Sequence, residues 1–259
     1  MNIPIRMIGV ATTIFWAFII LFAVSALYSV KDARFDFGEP QIGITSDNKI
    51  LFSLPITIVN TEYYDIGQFN ATTEFLDDYG SPITSGSTFI GVIRKDAEIS
   101  VFHNVTIDVG DVLQKSSRYL FNDTVFRAKE TISMRLAEMI PIRASGNHSL
   151  PWGAPLYNLS LGKPQYSLHN VTHMKVDVPI SFENHASFDL VGTIQMQIYD
   201  SDNVLLGTTQ TSLDVPQRSS YNVTVPLYIQ TTASGPDGHF EISFATSFFD
   251  YGPIVMNYD

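Results

Sequence analysis

The amino-acid sequence predicts a mainly β protein, built as two tandem antiparallel immunoglobulin-like β-sandwiches after one N-terminal transmembrane helix. Three observations support this fold class. The chain repeats itself, short runs of alternating apolar and polar residues recur through it, and an uncharged stretch lies near its start. The domain boundaries that follow are 1–34 for the anchor, 35–158 for the first sandwich, 159–163 for a linker and 164–259 for the second sandwich.

The N-terminal element is the uncharged stretch 7–30. In a helix, its residues reach roughly 36 Å, which is enough to cross the apolar core of a bilayer. The alternative is a cleaved signal peptide, because residues 24–26 (VSA) are typical of a small-residue cleavage site. We predict the uncleaved anchor, since the apolar stretch continues past that site and is longer than a signal-peptide core. Either interpretation places the remaining chain outside the cytoplasm.

The internal repeat appears most clearly in residues 53–60 (SLPITIVN) and 177–184 (DVPISFEN). Asn60 and Asn184, which end these segments, are separated by 124 residues (184 − 60), and the prolines at the third position share that offset. Further matching pairs are Asn104 with Asn222 and Trp152 with Tyr251. A self-similar chain contains copies of one module, and about 100 residues is an ordinary size for a domain.

Within each copy, the residue pattern is typical of short β-strands. In residues 193–199, Ile194, Met196 and Ile198 share one face with a period of two. The next residues, 200–203 (DSDN), have the composition of a hairpin turn. Alternating strands separated by turns about every 8–12 residues predict an antiparallel sandwich, in which each sheet buries one face.

One stretch of the first copy departs from this pattern. Residues 111–121 do not alternate, and Asp111 near their start favours a short helix. The second copy has residues 230–239 (QTTASGPDGH) at the matching place, which predict a loop. The first sandwich is therefore expected to carry an extra helix that the second lacks.

A family resemblance rests on segments of both copies. These are 178–185 (VPISFENH), 199–203 (YDSDN) and 222–227 (NVTVPL) in the second copy, and 55–60 with 111–121 in the first. Together they resemble the LEA-2 (late embryogenesis abundant group 2) or WHy-type domain over nearly all of 38–259. The chain departs at the family's Asn-Pro-Asn turn, which is replaced by 60–62 (NTE) and 184–186 (NHA). The resemblance implies an immunoglobulin-like sandwich, often membrane-tethered and linked to stress or envelope roles, and no catalytic residues.

The chain is rich in Asn-X-Ser/Thr sequons. It carries seven, whereas its 13 asparagines predict about two by chance. The candidate glycosylation sites are Asn70, Asn104, Asn122, Asn147, Asn158, Asn170 and Asn222. This excess predicts N-linked glycans on an exported surface. The alternative is that Asn and Thr crowd into turns and strands for structural reasons.

The composition indicates the cellular compartment of the protein and disfavours some classes of partner. The chain has no cysteine, a formal net charge of −11 and a pI near 4.8. Exported eukaryotic domains of this size usually carry disulfides, so an acidic, sequon-rich chain without them indicates an archaeal cell surface. The acidity disfavours binding to nucleic acid. The lack of cysteine excludes thiol catalysis.

Candidate metal ligands have weak support. His169 and His173 have the spacing of a metal site on a helix, but on the strand predicted here they would lie about 13 Å apart. Oxygen ligands suited to calcium occur at Asp77, Asp78, Asp200, Asp202 and Asn203. Calcium sites usually also have a glycine-shaped loop and a bidentate acid, which the sequence lacks here. We predict hairpin turns, no metal and no cofactor.

The predicted function is non-enzymatic, because the sequence has no nucleophile elbow and no phosphate-binding glycine loop. The leading hypothesis is a single-pass, extracellular, glycosylated structural or protein-binding module of the cell envelope. The alternatives are a surface-side accessory subunit of a membrane or motility complex, and a LEA-2-like stress-protective domain. The expected partners are the membrane, through 7–30, and another envelope or membrane protein. Residues 248–256 are expected to form the last strand, or else a partner-binding aromatic patch.

Overall fold

The computed structural model describes residues 13–22, 24–25, 33–61, 63–231 and 238–258. Within these ranges the chain is mainly β and its sheets are antiparallel, so this part of the predicted fold class is confirmed. The strands are β1 (Arg34–Phe37), β2 (Gln41–Ile44), β3 (Ile50–Asn60), β4 (Ile66–Leu76), β5 (Pro82–Ile93), β6 (Ala97–Ile107), β7 (Thr124–Leu136), β8 (Ile140–Trp152), β9 (Tyr157–Leu161), β10 (Gln165–Leu168), β11 (His173–Asn184), β12 (Leu190–Asp200), β13 (Leu205–Val215), β14 (Ser219–Gln230), β15 (Gly238–Thr246) and β16 (Asp250–Tyr258).

The same sheet topology occurs twice along the chain. Strand β3 pairs with β1, β2 and β6, and β11 pairs with β9, β10 and β14. The two remaining sheets have the orders β5-β4-β7-β8 and β13-β12-β15-β16. Every strand of the first set therefore corresponds to the strand eight places later. The repeat seen in the sequence is a repeat of strand topology.

The chain packs as two compact units. Among the described residues, the first unit takes those of Met1–Gly43, Leu51–Thr106 and Arg127–His148, and the second takes Ile44–Ile50, Ile107–Phe126 and those of Ser149–Asp259. The predicted linker, 159–163, includes the last residues of β9, in which Ser160 is paired with Ser181 of β11. That part of the linker belongs to a sheet.

The core of the first unit lies between its two sheets. Ile56 and Ile58 of β3 belong to one buried cluster with Phe69 of β4, Ile93 of β5 and Leu136 of β7. All five side chains are at most 1% exposed. Burying a side chain of this size contributes roughly 1.5–3 kcal/mol. Two sheets that share one apolar core have the arrangement of a β-sandwich.

The core of the second unit has the same origin. Phe182 of β11 meets Phe244 of β15 edge to face, with ring centroids 6.2 Å apart, so the two sheets are in contact. Ile194, Met196 and Ile198 of β12 are 1%, 0% and 0% exposed. The predicted buried face of this strand is confirmed, because alternate residues of a strand point to one side.

The predicted helix at 111–121 is two helices, Val109–Lys115 and Arg118–Phe121. The first helix ends because Ser116 has an extended backbone, φ −160° and ψ 116°. Both helices belong to the second compact unit and not, as predicted, to the first sandwich. Their packing explains this: the ring of Phe121 meets that of Tyr251 in β16 edge to face, with centroids 5.9 Å apart. Of the matching loop in the second copy, residues 232–237 lie outside the described residues.

Residues 13–22 and 24–25 of the predicted anchor are helical. Among the described residues, no helix combines the length and the apolar character that a membrane span requires. The rest of the predicted anchor, 7–12, 23 and 26–30, lies outside the described residues.

Candidate functional site

A cleft of about 450 Å³ opens on the second unit. Its walls come from the segment after the helix Arg118–Phe121, the end of β8, the turn after β11 and the turn between β13 and β14. Trp152 and Phe188 contribute buried aromatic surface, at 7% and 2% exposed. Asp123 and Arg218 contribute exposed charge. The cleft therefore combines an apolar floor with a charged rim, as ligand and partner sites often do.

His185 lies in this cleft between two carboxylates. Its Nδ1 is 2.8 Å from Asp123 Oδ2, and its Nε2 is 3.0 Å from Glu183 Oε2. The ring also stacks on Tyr157, with centroids 4.3 Å apart. Both ring nitrogens donate only in the imidazolium form. The hydrogen bond to Glu183, followed by that to Asp123, raises the pKa of His185 above its usual 6.5. The site therefore favours a cationic centre.

Backbone hydrogen bonds connect this histidine to the helical region. Asp123 Oδ1 accepts from the Ala154 N–H at 2.8 Å, and the His185 N–H donates to the Ala154 carbonyl at 3.0 Å. The Leu156 N–H donates to the Leu120 carbonyl at 2.8 Å. A continuous hydrogen-bonded path thus joins the helix Arg118–Phe121, the turn after β8 and the end of β11.

The turn after β8 is closely packed. The indole Nε1–H of Trp152 donates to the Tyr119 carbonyl at 2.9 Å, which satisfies a buried donor. A Cβ added to Gly153 would lie 1.9 Å from the His185 carbonyl oxygen. Two backbones approach each other so closely here that only glycine fits.

The first unit contains a histidine, His103, whose pKa shifts in the opposite direction. His103 of β6 is 4% exposed, and its Nε2 and Nδ1 each lie 2.9 Å from a threonine hydroxyl, those of Thr73 and Thr88. Burial lowers the pKa of His103, against a smaller opposing effect of the Glu130 charge. Hydroxyls both donate and accept, so the neutral ring is satisfied at both nitrogens. This residue was not predicted from the sequence, although its inward position in an alternating strand was a detectable signal.

The predicted glycosylation sites are mostly on the surface. Exposed positions are Asn104, Asn122, Asn147, Asn158, Asn170 and Asn222, whereas Asn70 is half-buried. Asn104 of β6 and Asn222 of β14 occupy equivalent strands of the two copies. Exposure is the geometric requirement for modification. Glycosylation itself stays a prediction.

The expectation that one strand contains both His169 and His173 is wrong, because His169 follows β10, His173 begins β11, and a tight turn separates them. The His169 N–H donates to the His173 carbonyl at 3.1 Å. Asn170 Oδ1 accepts from the backbone N–H groups of Thr172 and His173, at 2.9 and 2.8 Å. This side chain offers the backbone a local alternative to the strand ladder. In the described part of the chain, no three His, Cys, Asp or Glu residues gather in a metal-binding arrangement.

The acidic residues considered for calcium lie in hairpin turns, as predicted. Asp77 Oδ1 accepts from the backbone N–H groups two and four residues further on, at 2.9 and 2.7 Å. Asp200 Oδ1 does the same, at 2.9 and 2.8 Å. Asn203 takes a left-handed conformation with φ 60° in the second turn. These carboxylates therefore stabilise their own turns.

The apolar C-terminal stretch 248–256 contributes to β16, which pairs with β15, so the last-strand interpretation is confirmed. Phe248 also stacks on Phe188, with ring centroids 4.2 Å apart. Sequence reasoning singled out neither His185 nor Asp123, because the two residues are distant in the chain and no motif joins them.

No family model matches the chain, and no curated protein matches it. Among solved structures, red sea bream transglutaminase is similar at 14% identity and a TM-score of 0.32, covering 87% of this chain and 31% of that one. A glycosyl hydrolase family 2 member from Bacteroides cellulosilyticus DSM 14838 is similar at 9% identity and a TM-score of 0.33, covering 80% and 28%. The Amycolatopsis orientalis exo-chitosanase CsxA is similar at 10% identity and a TM-score of 0.25, covering 84% of this chain and 26% of that one. The chain spans less than a third of these proteins, and such values assign it no activity.

Proposed function

We propose that the chain is a non-enzymatic, membrane-anchored extracellular protein in which two tandem immunoglobulin-like sandwiches form a glycosylated, protein-binding module of the cell envelope. The observation that carries the proposal is the exposure of six of the seven sequon asparagines. Asn104 and Asn222 are exposed on equivalent strands, so both copies present a site for a glycan.

Three further features support a surface role. The uncharged stretch 7–30 supports tethering, and the acidic, cysteine-free composition supports an archaeal envelope. The LEA-2 resemblance supports the immunoglobulin-like sandwich and a tethered envelope role. Such sandwiches carry binding sites on loops and sheet edges.

The cleft beside His185 favours a protein-binding role over a passive spacer. It combines the aromatic side chains of Trp152 and Phe188 with the exposed charges of Asp123 and Arg218. Aromatic residues and arginine are enriched where proteins bind each other. The same feature supports the second candidate, an accessory subunit on the surface side of a membrane or motility complex.

The test is mass spectrometry of the protein isolated from native membranes. Peptides containing Asn104 and Asn222 are expected to carry added glycan mass, and the variants Asn104→Gln and Asn222→Gln are expected to lose it. Asn257→Gln is the matched control, because Asn257 is exposed but begins no sequon. Unmodified peptides at all seven sequons would contradict the glycosylated, exported module.

Crosslinking in the same membranes, followed by capture through a C-terminal tag, addresses the partner. One stoichiometric membrane protein, lost in a Val125→Ala, Arg218→Ala double variant at two exposed side chains of the cleft, is expected for the accessory subunit. Recovery of surface-coat protein, lost in the same variant, is expected for the envelope module. Capture that the double variant leaves unchanged would contradict a role for the cleft.

A further inference from the structure

We propose that His185 is a pH-dependent latch: the imidazolium binds Asp123, near the end of the helical insert (residues 107–126), to the end of β11, and loss of one proton loosens this end of the insert. The insert, the histidine and both carboxylates lie within the second compact unit. The latch is a property of that unit and does not depend on export, glycosylation or a partner.

The geometry of the two carboxylates carries the proposal. Asp123 lies 2.8 Å from Nδ1 and Glu183 lies 3.0 Å from Nε2, so both ring nitrogens face a carboxylate oxygen. A neutral imidazole has one N–H, so after deprotonation one carboxylate would face a lone pair. Glu183 is two residues from His185 in the chain, whereas Asp123 is 62 residues away. Of these two bonds, only the one to Asp123 reaches the insert, where it adds to the bonds that the Tyr119 and Leu120 carbonyls accept.

The charges around the ring set the direction of the response. Asp123 faces it from the insert, Glu183 from β11, and Tyr157 of β9 stacks on its face. Arg218, in the turn between β13 and β14, lines the same cleft but is exposed, so water screens its repulsion. The two hydrogen-bonded carboxylates therefore raise the pKa of His185 above 6.5. The latch is closed below 6.5 and opens as the pH rises through the folded-state value.

Opening has a local structural consequence. Asp123 also accepts the Ala154 N–H through Oδ1, and the Leu156 N–H donates to Leu120 in the insert. Once this end of the insert loosens, these two amides lose their partners more often and exchange faster with solvent. Ala154 and Leu156 are both fully buried in the closed form, at 0% exposed, so their exchange reports the latch directly.

The test is hydrogen exchange of the full chain at about pH 6 and about pH 9, with rates corrected for the intrinsic base-catalysed rise. In the wild type, protection of peptides covering 118–126 and 152–157 is expected to fall about tenfold for each pKa unit by which folding raises the histidine. Asp123→Asn and His185→Gln are expected to show the weaker protection at both pH values. Asp123→Asn preserves the Asn122 sequon and an acceptor for Ala154.

His148→Gln is the matched control. His148 is an exposed histidine of the first unit, 3.4 Å from Glu130, and this variant should retain the wild-type pH response of the insert. Equal corrected protection at both pH values in the wild type would overturn the latch. Should a variant fail to fold, NMR of the wild-type histidines decides: titration of His185 at or below 6.5, or one protonated ring nitrogen at acidic pH, would also overturn it.

Discussion

Asn184 makes in the second unit the same three bonds that Asn60 makes in the first. Each residue is 0% exposed, and the two hydrogens of its Nδ2 are shared among three backbone carbonyls. The acceptors are Tyr64, Ile93 and Arg94 for Asn60, at 3.0, 3.1 and 3.1 Å, and Phe188, Val215 and Pro216 for Asn184, at 3.0, 3.3 and 3.1 Å. In each unit, one side-chain amide thus connects the end of a central strand, β3 or β11, to the end of a strand in the other sheet, β5 or β13.

Replacing Asn184 by Ala is therefore expected to destabilise the second unit by about 1–3 kcal/mol, because it removes a buried donor from the Phe188 and Val215 carbonyls. Asn184→Asp should cost more, because it places a carboxylate against three carbonyl oxygens. Denaturant unfolding measures the loss. Asn257→Ala, at an exposed position, should stay within about 0.5 kcal/mol of the wild type. A neutral Asn184→Ala would show that water replaces the amide.

The first unit is expected to lose stability in acid because of His103. Burial lowers the pKa of this histidine in the folded state, so the unfolded chain binds the proton more readily. The stabilising contribution is present above 6.5, the ordinary value, and is lost as the pH falls through the folded-state pKa. Hydrogen exchange in β4, β5 and β6 at about pH 8 and about pH 5 measures this for the first unit alone.

His103→Gln keeps a group that can hydrogen-bond to Thr73 and Thr88 but does not titrate, so it should flatten the response. His148→Gln, at an exposed position in the same unit, should leave the response unchanged. An undiminished pH response in His103→Gln would assign the acid sensitivity to another group.

Gly153→Ala is expected to destabilise the second unit by about 1–3 kcal/mol, the usual cost of overpacking. The added methyl would lie 1.9 Å from the His185 carbonyl oxygen, which is backbone and cannot swing aside. Gly91→Ala is the matched control, because a Cβ there meets nothing within 4 Å. Thermal unfolding compares the two, and equal melting temperatures would mean that the turn after β8 relaxes freely.

Arg218→Gly is expected to stabilise the second unit by about 0.5–1 kcal/mol. Arg218 has φ 55°, a left-handed conformation that costs a residue with a Cβ roughly 1–2 kcal/mol, and part of the gain is offset by the greater freedom of unfolded glycine. Asp96→Gly, at φ 60° in the turn between β5 and β6, should stabilise the first unit for the same reason. Arg143→Gly in β8 should instead destabilise, by about 0.5–1 kcal/mol. Denaturant midpoints give all three values.

Local features were predictable from the residues themselves. The buried face of β12 follows from the alternation of Ile194, Met196 and Ile198, since successive side chains of a strand point to opposite sides. The turn at 200–203 follows from Asp and Asn, whose side chains bond to backbone a few residues away. The error at His169 and His173 has a local cause too, because the capping side chain of Asn170 outweighed the strand pattern.

The candidate site could not be predicted in this way. Asp123, Glu183 and His185 meet only after the insert has packed beside β11, and each residue alone has the composition of an ordinary loop or strand end. The division of the helical region into two helices could not be predicted either, because the pattern of residues 111–121 predicted one helix of the first sandwich. The packing of Phe121 against Tyr251 of β16 placed two helices in the second unit.

By itself, the sequence determined the strand alternation, the turns and the duplication of one module. The alternation and the turns depend on residues that are close in the chain, and the duplication is visible as a repeated residue pattern. The tertiary structure decided which side chains meet across the fold. Examples are the buried hydrogen bonds of Asn60 and Asn184, the burial of His103 and the contact of His185 with two carboxylates. The physical reason is that hydrogen bonds and burial depend on distance in space, and packing brings together residues that chain order keeps apart.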